Sequence, residues 1–147
     1  MKIKFIDNLT FNVYIRKEEI KNINVKSKKE IETYLKTIIN KLRNIYYLNI
    51  EGFYNIKIYI DNYYGIIINF NKEKLDYYDY FNGGIELDIN IIEVSFLYKV
   101  DDIPKKILKK LEMNQIDDDI YIKIVKELDQ KEFMNLIEHT EKIIKIW

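Results

Sequence analysis

The chain has no cysteine and no alanine; its 147 residues include one proline, one histidine, four glycines, two serines and two arginines. Without cysteine there is no disulfide framework, no thiolate metal centre and no thiol nucleophile. The glycine pair Gly83-Gly84 has neither the phosphate-loop spacing nor the dinucleotide fingerprint. Nucleophilic catalysis needs a nucleophile, a base and an orienting group. Ser27 reads as a helix cap, Ser95 lies in a strand pattern with no elbow around it, and His139 reads as a surface residue between Glu138 and Glu141. Two arginines are a thin supply for bidentate phosphate or base recognition. No apolar run approaches the length of a membrane helix, and MKIKFIDNL lacks the apolar stretch of a signal peptide. A cytoplasmic location is expected.

What is present is isoleucine, asparagine, tyrosine and lysine, with 22 lysines beside the two arginines. Residues encoded by GC-rich codons are the scarce ones, which points to an AT-rich genome, bacterial or phage. Basic and acidic residues number 24 each, so the formal net charge is zero. A general nucleic-acid binder needs a basic surplus to displace counterions, and the overall balance argues against one. The charge is uneven along the chain: residues 1–50 hold 11 basic and 5 acidic side chains, residues 51–100 hold 4 and 8, and the remainder 9 and 11.

One stretch keeps an unbroken helical period. Ile31, Tyr34, Leu35, Ile38, Ile39, Leu42, Ile45 and Tyr46 form a single apolar stripe, and Ser27 with Glu30 gives the capping-box pattern. A long amphipathic helix is expected over about 27–46, laid on a sheet. Around it, strict alternation predicts strands. Ile3 and Phe5, then Phe11, Val13 and Ile15, predict one hairpin. Tyr54, Ile56, Ile58 and Ile60, then Ile66, Ile68 and Phe70, predict a second, with Gly65 free for a positive φ near the turn. Ile85–Ile91 and Ile92–Val100 alternate on either side of a phase change, which reads as a bulge or tight turn. Beyond residue 100, Pro104 and the preceding acids predict a helix carrying Ile107, Leu108 and Leu111. Ile120–Leu128 fits both periods, and a helix capped by Asp117-Asp118-Asp119 is chosen. Asp129 and Glu132 predict another capping box, opening an amphipathic helix to Trp147. The expected fold is one compact α+β domain over 1–147: an antiparallel sheet of hairpins in about 1–100, the long helix on one face, and a helical C-terminal part in about 101–147.

For function, Glu86, Asp88 and Glu93 are the carboxylates nearest to a magnesium arrangement, but nothing else of such a site is recognisable. No catalytic residue, cofactor or metal is expected. The segment Asp76, Tyr77, Tyr78, Asp79, Tyr80 and Phe81, with the hairpin tip Tyr63 and Tyr64, combines rings and carboxylates in the manner of interface anchors. The expected function is therefore non-enzymatic binding of a protein partner, as an adaptor, an inhibitor or an immunity or counter-defence factor. The alternative is a nucleic-acid-associated factor using the basic N-terminal third.

Overall fold

The computed structural model describes residues 1–74, 84–103 and 105–146. Nine strands and two α-helices are described: β1 (Lys2–Phe5), β2 (Thr10–Arg16), α1 (Lys28–Asn44), β3 (Gly52–Asp61), β4 (Gly65–Lys72), β5 (Ile85–Glu93), β6 (Ser95–Val100), β7 (Leu111–Ile116), β8 (Asp119–Ile124), α2 (Gln130–Glu138) and β9 (Thr140–Ile146). The strands form a five-stranded sheet, order β1-β2-β4-β3-β5, and a four-stranded sheet, order β7-β8-β6-β9. The chain divides into two compact units, Met1–Ile60 with Gly65–Ile92, and Asp61–Tyr64 with Glu93–Trp147.

This corrects the expected fold class. Strands account for 46% of the described residues and helices for 26%, so the protein is mostly β with two sheets, not one hairpin sheet under a long helix. The helical C-terminal third is overturned. Lys105–Lys110 is a 3₁₀ turn, and the chain then enters β7 at Leu111. Ile120–Ile124 lies in strand β8, which pairs antiparallel with β7 and β6. The acids before it do not cap a helix: Asp117 takes a φ of 55° in the turn between Ile116 and Asp119, which face each other. Asp and Asn tolerate that left-handed geometry better than most residues. The last helix runs only from Gln130 to Glu138, after which Thr140–Ile146 pairs with β6. The last two of these segments share a reason. Short runs such as IYIKI and EKIIKI satisfy both periods, and β-branched isoleucines resolve the tie towards strand when a partner strand is present.

The first unit follows its residues more closely. β2 buries Phe11, Val13 and Ile15 and leaves the residues between them half-exposed. It pairs with β1 and with β4, antiparallel in both cases. Ser27 caps α1, its Oγ accepting the Glu30 N–H at 3.4 Å. The Glu30 carboxylate accepts the Asn24 N–H at 2.6 Å instead of closing the box on Ser27. Ile31, Leu35, Ile38, Ile39 and Leu42 of α1 belong to one buried cluster with Val13, Ile15, Ile56, Ile58, Ile66, Ile68 and Phe70. Burying each such side chain contributes roughly 1.5–3 kcal/mol against its exposed state.

The second unit has its own core of Tyr64, Phe96, Leu97, Tyr98, Ile107, Tyr121, Ile122, Ile124, Phe133 and Leu136. The Asp129 carboxylate accepts the Glu132 N–H and the Glu132 carboxylate accepts the Asp129 N–H, so this capping box forms as its spacing predicts. Lys110 Nζ donates to Glu132 at 2.8 Å. That bond is the main cause that raises the lysine and lowers the glutamic acid from their ordinary pKa ranges.

Candidate interaction surface

Of the sequence-derived anchors, the structure describes Tyr63 and Tyr64; Asp76, Tyr77, Tyr78, Asp79, Tyr80 and Phe81 lie outside the described residues. Tyr63 and Tyr64 form the tip of the β3–β4 hairpin, within the second unit. Tyr64 is only 5% exposed. Its ring meets Phe96 edge-on at 5.5 Å and Phe133 at 6.0 Å, and Tyr98 lies at 6.4 Å. That ring is core, so it offers no surface to a partner. Tyr63 is half-buried, and its hydroxyl donates to the Val125 carbonyl at 3.2 Å.

Beneath Tyr64, the Tyr98 hydroxyl is buried with no hydrogen-bond partner among the described residues. Burial is the main cause that pushes this phenol well above the ordinary tyrosine range, with Asp61 and Tyr64 adding to it. A buried, unpaired hydroxyl costs roughly 1–3 kcal/mol. Tyr98→Phe is therefore expected to leave the denaturation midpoint unchanged or raise stability by about 1 kcal/mol. A loss above about 1 kcal/mol in a urea titration would show that the hydroxyl is paired.

The carboxylates weighed for metal chemistry do not converge. Glu86 and Asp88 are exposed along β5, and among the described residues no group of three or more His, Asp or Glu side chains is placed to hold an ion. His139 caps the end of α2, with Nδ1 3.0 Å from an Asp101 carboxylate oxygen. The Asp101 N–H donates back to the His139 carbonyl at 3.0 Å, so the pair ties α2 to the end of β6. An open groove of about 510 Å³ runs beside α1, lined by Asn22, Ile23, Lys29, Thr33, Tyr34 and Thr37 among others.

A further surface lies where the sequence pattern places core. The stripe of α1 predicts Ile45 and Tyr46 as buried helical positions. The helix instead stops at Asn44, and Ile45, Tyr46 and Tyr47 all stand exposed. Tyr47 is 86% exposed and has a φ of 54°. A bulky side chain in the left-handed region costs roughly 1–2 kcal/mol. Main-chain bonds hold it there. The Ile45 and Tyr46 N–H groups both donate to the Lys41 carbonyl, at 2.9 and 3.2 Å, and the Leu48 N–H reaches the Leu42 carbonyl at 2.9 Å. The Arg43 guanidinium closes the loop on the Ile50 carbonyl. The result is a fixed backbone presenting three apolar side chains, with Lys36 and Lys41 exposed on the preceding turns of the helix. Sequence reasoning missed this surface because periodicity marks where apolar residues recur and is blind to where the helix ends.

No protein-family model matches the chain, and neither the curated proteins nor the solved structures include one with significant similarity to it.

Proposed function

We propose that the protein acts by binding another protein, without catalysing a reaction, as an adaptor, an inhibitor or an immunity or counter-defence factor of the cytoplasm. The observation that carries this reading is the Ile45-Tyr46-Tyr47 knob. Exposed rings on a pre-ordered backbone are what interface anchors need, because little conformational freedom is left to lose on binding. Strained backbone positions persist where their surroundings enforce them, and they cluster at ligand clamps and binding sites. The same reading takes the acidic-aromatic segment Asp76, Tyr77, Tyr78, Asp79, Tyr80 and Phe81, with Tyr63, as further contact residues. Tyr64 is dropped because it is buried.

Tyr47→Asn tests the knob, since asparagine accepts the left-handed backbone and removes the ring. The variant is expected to be as stable as the parent or more so, and to bind the partner about tenfold or more weakly in a direct titration. Tyr77→Ala with Tyr80→Ala is expected to weaken the same complex. The reading fails if both variants bind with parental affinity, or if the purified protein turns over a substrate.

A further inference from the structure

Ten large apolar side chains stand exposed among the described residues, and five of them fall between residues 108 and 125: Leu108, Met113, Ile116, Ile120 and Val125. All lie in or beside the β7–β8 hairpin, and β7 is an outer strand of its sheet. The ladder register shows which way its main chain points. The Val125 N–H donates to the Lys110 carbonyl at 2.9 Å, continuing the run from Leu111↔Ile124 to Ile116↔Asp119. In an antiparallel pair, bonded and non-bonded positions alternate. Glu112, Asn114 and Ile116 therefore spend their main-chain groups on β8. Leu111, Met113 and Gln115 turn their N–H and C=O groups away from it.

Exposed strand edges are normally defended by charge or proline. The other three outer strands follow that rule: β1 carries Lys2 and Lys4, β5 carries Glu86, Asp88 and Glu93, and β9 carries Glu141 and Lys142. β7, with the sequence LEMNQI, has only Glu112. Met113, 57% exposed, is its central outward-bonding residue.

We propose that β7 pairs antiparallel with β7 of a second copy of this chain, about a two-fold axis through Met113. In that register Met113 meets its own counterpart, Leu111 faces Gln115, Glu112 faces Asn114, and Lys110 faces Ile116. No like charges meet. The outward main-chain groups of residues 111, 113 and 115 all find partners. A strand edge that complements itself in this way forms a closed isologous pair, the commonest protein symmetry. This pairing is independent of the partner proposed for the Tyr47 knob.

Sedimentation of the full chain tests it over about 1 µM to about 1 mM, the range in which a small interface assembles. The mass is expected to climb from 18.0 kDa towards twice that value. Met113→Lys places two ammonium groups against each other and is expected to stay monomeric. Met113→Pro removes an outward donor while leaving the β8 ladder intact, and is expected to do the same. If the proline variant loses its fold by circular dichroism, the lysine variant carries the test. Because the chain has no cysteine, single replacements report the register directly. The paired Met113 Cα atoms would lie about 5.5 Å apart, within disulfide reach, so Met113→Cys is expected to cross-link on mild oxidation and Gln115→Cys is not. A parent that stays at 18.0 kDa throughout, a Met113→Lys protein that still dimerises, or cross-linking at residue 115 in place of 113 overturns the proposal.

Discussion

Gly65→Ala is expected to cost at least about 3–5 kcal/mol, enough to unfold a domain of ordinary stability. Gly65 begins β4 opposite Arg16 of β2, with a φ of 127°. Two separate effects act there. The backbone angle lies where side chains with a Cβ are rarely found, which costs roughly 1–3 kcal/mol. A Cβ would also lie 2.5 Å from the Ile15 carbonyl oxygen, 2.7 Å from the Lys17 nitrogen and 2.8 Å from the Arg16 carbonyl carbon. All three are main-chain atoms, so no rotamer change relieves the contact. Relief requires β2 and β4 to separate at the end where their ladder closes. The alanine variant is expected to fall well below the parent in urea midpoint. An alanine variant within about 1 kcal/mol of the parent would show that the close approach is absent.

The same glycine shows what a sequence can disclose. Its place at the end of a tyrosine-rich turn, between two alternating runs, announces both the hairpin and the positive φ. The β1–β2 hairpin, the Ser27 cap and the Asp129–Glu132 box are legible for the same reason: each is decided within a few residues by local hydrogen bonding or by strict alternation. Residues 105–128 and 140–146 are not decided locally. Ile120, Ile122 and Ile124 become a strand because β6 and β7 lie on either side of them. Those pairings reach across more than twenty residues on the β6 side, which no window of periodicity samples. The division into two units is hidden in the same way, since the turn Asp61–Tyr64 is assigned with residues beyond 92. The candidate surface was still less visible. A tyrosine held at positive φ runs against its own conformational preference, so nothing in the local sequence signals Tyr47.

Replacing Asp61 carries the second large effect, and here the conservative variant is the informative one. Asp61 is the one charged side chain buried among the described residues, at 7% exposure. One carboxylate oxygen accepts the N–H groups of Tyr63 and Tyr64 at 2.7 and 2.9 Å, and the other accepts the Phe96 N–H at 2.6 Å. The side chain thus shapes the turn and pins it to β6 inside the second unit. Asp61→Ala leaves three main-chain donors without their acceptor, for an expected loss of about 3–5 kcal/mol. Asn in place of Asp distinguishes two roles. As turn formers the two residues are nearly equivalent, so a purely local role predicts almost no change. As a bridge they differ, because an amide has one accepting oxygen and its NH₂ must then face an N–H, donor against donor. Asp61→Asn is accordingly expected to lose about 2–3 kcal/mol, with faster hydrogen exchange at the Phe96 amide. An asparagine variant within about 0.5 kcal/mol of the parent, with that amide still protected, would mean that Asp61 serves the turn alone. The packing of Tyr64 against Phe96 and Phe133 would then have to hold the tip in the second unit without a polar bridge.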